Sequence, residues 1–257
     1  MEFSFLSAFF PERCCFCGGV IRPREFVCEE CREKHALRTK TVKCPYCALP
    51  RYDCSCTRAH YYDLLLSPYV YDGDVRRCVI RYKSGGEKQL YKGIADIMSQ
   101  YIGFELDASK IDVITSVPTT PARLKSRGFD QTALIAAELA GKLNLPYEPL
   151  LRKFSDDVPQ KQLDPVSRTG NVRGTIDLLG GVSVEDRTVL LVDDIVTTGA
   201  TLDECAATLK IFGANNVVAA AFAVSGYRPE RAEKYAKKQL PPETRELLRQ
   251  ERIPFFS

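Results

Sequence analysis

Two adjacent carboxylates, Asp193 and Asp194, follow the apolar run Leu190-Leu191-Val192, and a short polar run, Thr197-Thr198-Gly199-Ala200-Thr201, comes two residues later. A tight turn of small residues at the head of a helix aims backbone N–H groups, threonine hydroxyls and the positive end of the helix at one anion. Gly199 permits close backbone approach. Acids beside such a cradle suit a ligand that joins a phosphate to vicinal hydroxyls, as a ribose phosphate does. The alternative is a strand, turn and helix whose acids merely cap the helix. Two acids and three threonines at this spacing weigh against it. A P-loop is excluded, because no Gly-Lys-Ser/Thr ending is present.

Cysteine is the second residue type with chemistry. Of eleven cysteines, nine fall within the first 56 residues, and eight of those form close pairs: Cys14/Cys17, Cys28/Cys31, Cys44/Cys47 and Cys54/Cys56. Two residues between cysteines let one tight turn present two thiolates, and two such turns complete a zinc tetrahedron. Sequential pairing predicts one site from the first four and a second from the last four. Cross-braced pairing stays open, as does one zinc ion against two, because Cys54-Ser55-Cys56 is short by one residue. His60 is a substitute ligand there; otherwise His35 and His60 read as surface residues. Disulfides are the competing reading and are disfavoured in a reducing compartment. Cys15, Cys78 and Cys205 are left over, with Cys205 on an apolar helix face.

The elements that must hold these groups can be read from periodicity. Gly86 to Gly103 reads as a helix, Ile111 to Val117 as a strand and Phe129 to Leu143 as a helix. Thr188 to Val192 reads as a buried strand. In Thr201 to Phe212, Leu202, Cys205, Ala206 and Leu209 follow the i, i+3, i+4, i+7 pattern of a helix, which Gly213 stops. Asn216 to Val224 is a continuous apolar strand. Apolar strands alternating with helices predict a parallel sheet covered on both faces, with ligands at the carboxyl ends of its strands. The composition shifts near residue 60, which divides the chain into a cysteine-rich module (1–60), an α/β domain (61–228) and a charged helical tail (229–257). If the module folds on its metal alone, a ligand change such as Cys28→Ser unfolds it and spares the rest.

The acid–threonine segment resembles the ribose-phosphate motif of type I phosphoribosyltransferases. A second segment, Ser116-Val117-Pro118-Thr119 through Arg123, Lys125, Arg127, Gly128, Phe129, Asp130 and Gln131, resembles that of the ComF family, in which a zinc module precedes a phosphoribosyltransferase domain. The paired cysteines and Arg81-Tyr82-Lys83 extend the likeness over nearly the whole chain. The resemblance implies a type I phosphoribosyltransferase fold that binds 5-phosphoribosyl pyrophosphate (PRPP) with Mg²⁺. Asp193 and Asp194 would be the catalytic acids, and Thr197, Thr198, Gly199, Ala200 and Thr201 would hold the phosphate. Lys83, in a loop with Ser84-Gly85-Gly86, and Arg123, Lys125 and Arg127 are candidates for the pyrophosphate side. The polar stretch from Arg152 to Gly174, with Lys153, Gln160, Gln162, Arg168, Asn171 and Arg173, would close over the site and exclude water. Thr197 stands where purine-salvage relatives carry an aspartate, and a threonine cannot share a proton with a purine at neutral pH.

The resemblance also implies a role in natural transformation, with internalised single-stranded DNA and the competence helicase machinery as partners. The basic stretches 123–127 and 228–238, the latter near Tyr227 and Tyr235, offer phosphate contacts and stacking faces, although Glu230 and Glu233 interrupt them. Three functions therefore remain in view: phosphoribosyl transfer to an acceptor the residues do not name, nucleobase salvage in particular, and a non-catalytic PRPP-sensing or DNA-binding assembly protein. Composition is that of an ordinary folded chain, 45% hydrophobic and 27% charged. No apolar stretch approaches the ~20 residues of a membrane span. The acidic, short start with Phe3, Phe5, Leu6, Phe9 and Phe10 lacks the basic lead of a signal peptide, so a cytoplasmic protein without membrane insertion is expected. The formal charge of +3 becomes about −1 once two tetrathiolate zinc centres are counted, so charge alone gives no case for nucleic acid. Oligomeric state is not encoded in any pattern found.

Overall fold

The computed structural model describes residues 12–23, 25–35, 43–54, 56, 60–84, 86–154 and 175–226. The closing segment from 155 to 174, the basic stretch 228–238, Tyr227, Tyr235, the start and the tail lie outside them.

The centre is a parallel sheet. Strands β1 (Leu64–Leu66) and β2 (Tyr69–Val70) both pair with β7 (Asn216–Val224); β7 pairs with β6 (Thr188–Val196), and β6 with β3 (Val113–Ser116). Register runs Val113↔Val189 to Ser116↔Val192 on one side of β6, and Thr188↔Asn216 to Val196↔Val224 on the other. A separate antiparallel pair joins β4 (Leu151–Lys153) to β5 (Ile176–Leu178). With a strand on each side, β6 and β7 are central, which is why both sequences are nearly pure apolar runs.

Helices α2 (Gly73–Ser84), α3 (Leu90–Glu105) and α5 (Gln131–Leu143) cover one face. Helix α6 (Ala200–Ile211) covers the other. The remaining helices are short: α1 (Glu29–Lys34) in the cysteine-rich region and α4 (Pro121–Arg127) after β3. Helix α2 was not foreseen. Its buried Val75, Cys78, Val79 and Tyr82 keep helical spacing among arginines. It therefore places Lys83 in a last helical turn rather than in a loop. The helix expected from Gly86 begins at Leu90, because Gly86 adopts φ +74° and cannot open it. The strand expected to end at Val192 runs on through both acids to Val196.

The two cysteine modules pack on opposite faces of the sheet. Cys14, Cys15, Phe16 and Cys31 join the apolar cluster of Cys78, Ile94, Met98 and Phe222. Ala48 and Leu49 join that of Tyr62, Val196, Leu202 and Val224.

Candidate functional site

Strand β6 delivers Asp193 and Asp194 at its carboxyl half, and strand alternation turns them to opposite faces. Asp194 is buried and accepts an ion-paired hydrogen bond from Lys83 Nζ at 2.8 Å. Lys83 is held there from behind. Gln131 Nε2 donates to the Lys83 carbonyl at 3.1 Å, and Tyr82 Oη donates to the Gln131 carbonyl at 2.7 Å. Asp130 caps α5 by accepting from Ala133 N at 3.0 Å, and Gly128, at φ +76°, ends α4 so that the chain can turn into α5. The Arg-Gly-Phe-Asp-Gln segment thus works as a clasp on the end of α2.

Arg123 and Lys125 stand exposed on α4, and the structure brings neither to the acids among the described residues. Arg127 ends α4. Among the described side chains, Lys83 is the cation named from the sequence that contacts one of the two acids.

Burial and the charge of Asp194 push the Asp193 carboxyl up, to about 8. Its folded value exceeds the unfolded one, so the stability it lends is present below about pH 4 and is lost as pH rises through about 8. Asp193→Asn cannot ionise and is expected to gain on the parent protein as pH rises between those limits. The gain should be at least ~1.4 kcal/mol, the worth of one pKa unit. Thermal melts of both proteins from pH 4 to 9 check this; a constant difference contradicts it.

The loop between β6 and α6 follows. Gly199, φ +76°, forms the N-cap of α6, a conformation only glycine adopts without strain. Among the described residues, the backbone N–H groups of Thr197, Thr198 and Gly199 have no acceptor within the protein, and the two threonines are exposed. Ala200 N donates to Thr198 Oγ1 at 3.3 Å. Thr201 opens α6. Three orphan donors at the positive end of a 12-residue helix make an anion cradle.

Both cysteine modules are tied to this site. Arg81, two residues before Lys83, donates through Nη1 to the carbonyls of Cys14, Cys15 and Phe16 and forms a two-point pair with Glu87. On the other face, Asp203 in the first turn of α6 accepts from Tyr61 N at 2.8 Å and lies 3.3 Å from His60 Nδ1. Tyr62 Oη donates to the Tyr46 carbonyl at 2.6 Å and stands 3.4 Å from where a Cβ on Gly199 would be. Neither histidine is a surface residue. His35 stacks on Phe16 at 4.2 Å, and His60 stacks on Tyr62 at 4.8 Å. These ties were not visible in the sequence, because no periodicity marks a contact across 142 residues.

The cysteines gather as two sequential quartets, Cys14/Cys17/Cys28/Cys31 and Cys44/Cys47/Cys54/Cys56, with all sulfurs of each set within 4.8 Å of one another. Cys17 and Cys28 are 3.8 Å apart, close to the ~3.8 Å edge of a tetrahedron whose centre lies about 2.3 Å from each sulfur. Cross-braced pairing is thereby set aside. A single turn of 3₁₀ helix, Arg51–Asp53, leads into Cys54 and brings the short Cys54/Cys56 pair round. One thiol in each set is drawn down toward the thiolate. Cys44 falls to about 4, chiefly through its hydrogen bond with Cys47. Cys14 falls to about 7, where burial opposes ionisation but backbone N–H groups of Cys28, Cys17 and Phe16 outweigh it. Both quartets can hold a structural metal ion. Of the leftover cysteines, Cys15 and Cys78 are buried with sulfurs 3.1 Å apart, and Cys205 is buried on the core-facing side of α6.

No helix among the described residues is long and apolar enough to cross a membrane.

Residues 87–244 match the family model of the phosphoribosyl transferase domain. The chain is 28% identical over 195 residues to the competence protein ComFC of Bacillus subtilis (strain 168), covering 71% of this chain and 77% of that one. It is 26% identical over 201 residues to the DNA utilization protein YhgH of Salmonella typhimurium, covering 74% and 87%. Among solved structures it is similar to the glutamine PRPP amidotransferase of B. subtilis, complexed with ADP and GMP. That match has 25% identity and a TM-score of 0.37, and covers 51% of this chain and 25% of that one. With an acid pair at the end of a central parallel strand, an anion cradle behind it and two cysteine quartets ahead, the chain belongs to the phosphoribosyl transferase domain family and is a ComFC-like member of it.

Proposed function

We propose that this protein binds 5-phosphoribosyl pyrophosphate with Mg²⁺ and transfers its phosphoribosyl group. The single observation that carries the reading is the continuity of Lys83, Asp194, Asp193 and the unpaired loop amides over one strand end. In this reading Thr197, Thr198, Gly199, Ala200 and Thr201 receive the 5-phosphate, and Asp193 and Asp194 accept hydrogen bonds from the ribose hydroxyls. Lys83 faces the leaving pyrophosphate, and Arg123, Lys125 and Arg127 are further candidates on that side. As the C1–O bond breaks, pyrophosphate departs with the electron pair. The acceptor bonds to C1 and gives up a proton to solvent. The positive charge that grows on the ribose lies beside Asp193 and Asp194, and the negative charge on the leaving group lies beside Lys83.

The oxygen donors of the two acids suit Mg²⁺, which binds through one or two carboxylates and substrate phosphates. When bound it supplies charge neutralisation of the pyrophosphate. The quartets suit zinc, with Cys14, Cys17, Cys28 and Cys31 holding one ion and Cys44, Cys47, Cys54 and Cys56 a second. The division into 1–60, 61–228 and 229–257 belongs to the same reading. The names of the relatives, a competence protein and a DNA utilization protein, support a role in competence-linked use of DNA. Internalised single-stranded DNA and the competence helicase machinery as partners, and a cytoplasmic location, are part of the same proposal.

Calorimetry with PRPP tests the donor assignment. One site per chain, with affinity that depends on Mg²⁺, is expected. No heat from a folded protein at millimolar donor overturns it.

A further inference from the structure

The guanidinium of Arg81 works in two directions. Nε and Nη2 pair with the two Glu87 oxygens at 2.8 and 2.6 Å, while Nη1 lies 3.2 to 3.5 Å from the carbonyl oxygens of Cys14, Cys15 and Phe16. Gly18, at φ +78°, lets the cysteine turn close on it; a Cβ there would stand 3.4 Å from Arg81 Cζ. Arg81 comes two residues before Lys83 and Glu87 four after it, so one planar fork ties the chain on both sides of the lysine. Gln131 Nε2 adds a further tie, to the carbonyls of Tyr82 and Lys83 at 3.4 and 3.1 Å. Lys83 sits in the last turn of α2, shortly before Gly86 at φ +74°. A long side chain at such a helix end samples many positions unless its backbone is held.

The other side of the cysteine turn faces the first quartet. The N–H groups of Phe16 and Cys17 bond to Cys14 Sγ. They belong to the same two peptide units whose carbonyls, those of Cys15 and Phe16, accept from Arg81. Each unit therefore joins a metal-ligand sulfur at one end to the guanidinium at the other. Hydrogen bonds in such a chain polarise one another, so each end strengthens the other. A metal held by the quartet fixes this turn, and the turn fixes the fork.

We propose that Arg81 is a positioning residue that sets Lys83 against the donor's pyrophosphate, and that the first cysteine quartet is the base that holds it, so that zinc in that quartet and pyrophosphate at Lys83 strengthen each other's binding. The proposal rests on the donor-site reading above. Reciprocity is required: if bound zinc raises donor affinity through this tie, bound donor raises zinc affinity by the same factor.

The test compares two ligands by calorimetry in the presence of Mg²⁺. PRPP carries the pyrophosphate assigned to Lys83, whereas ribose 5-phosphate offers the phosphate assigned to the β6–α6 loop and no pyrophosphate. Arg81→Met should bind PRPP about tenfold more weakly, the scale of one charge-assisted hydrogen bond, and ribose 5-phosphate within about twofold of the parent. Arg81→Lys keeps the charge without the fork and should fall between. Glu87→Gln, a milder change, should act in the same direction and serves if Arg81→Met does not fold. Arg76→Met, exposed on the same helix, should alter neither affinity. Zinc content and a melting curve establish folding. Against a chelator selective for zinc over magnesium, PRPP should protect one zinc ion of the parent about tenfold more than ribose 5-phosphate does, and in Arg81→Met that difference should vanish. Equal losses of PRPP and ribose 5-phosphate affinity in the folded variants show a purely structural role and overturn the proposal. So does unchanged PRPP affinity, or zinc retention that PRPP raises no more than ribose 5-phosphate. A parent protein that fails to bind PRPP strikes the donor reading itself.

Discussion

With both Asp193 and Asp194 changed to alanine, PRPP affinity in the presence of Mg²⁺ is expected to fall by about 2–4 kcal/mol, from ~1–2 kcal/mol for each charged hydrogen bond lost. The effect should be on binding rather than on folding. In the free protein the two acids oppose each other, which is part of why Asp193 is held so far above the ordinary carboxylate range. Removing both relieves that repulsion and leaves Lys83, which is part-exposed, able to reach water. A folded double variant that binds PRPP as tightly as the parent contradicts the assignment of these acids.

The second large effect concerns the metal. Protein prepared without chelator is expected to carry two zinc ions per chain, because both quartets have the sulfur spacing of a closed tetrahedral site. Cys31→Ser should cost the first ion and lower the melting temperature of the whole domain by roughly 10 °C, equal to about 3 kcal/mol at ~2–4 °C per kcal/mol for a chain of this size. Loss confined to an independent module would instead leave the main transition in place. The packing favours the global effect. Cys31 is buried and shares a cluster with Ile94, Met98 and Phe222, and Arg81 bonds three carbonyls of the neighbouring Cys14 turn. Elemental analysis and calorimetric melting read both outcomes. A zinc-free protein with an unchanged melt contradicts the account.

Local sequence was informative where local forces decide. The run Asn216 to Val224 became β7 without change, and the helix expected from Thr201 is displaced by one residue, since its apolar spacing and Gly213 leave little choice. The sulfur pairs announced metal-binding clusters, with one ion or two left open, and the structure gathers them into two quartets that could each hold an ion. The pattern of α2 was present in Val75, Cys78, Val79 and Tyr82, yet a cysteine and a tyrosine among three arginines and a lysine make a faint apolar stripe. What could not be read is contact at a distance. Nothing near Gln131 says that its amide holds the carbonyl of Lys83, and nothing near His60 and Tyr61 says that they meet Asp203. The histidines were misjudged for the same reason: burial is set by partners far along the chain. The consequence for the candidate site is large, because those contacts place the acid–lysine pair and pack the second cysteine module against the start of α6.

The central claim is that the donor's phosphate rests on the backbone amides between Thr197 and Thr201. Amide hydrogen exchange with and without PRPP and Mg²⁺ tests it most directly. Among the described residues the amides of Thr197, Thr198 and Gly199 have no acceptor in the free protein, so donor binding should slow exchange of the peptide spanning 193–203 more than that of any other segment of the sheet. Donor binding that leaves this peptide's exchange unchanged, with protection elsewhere, would contradict the account.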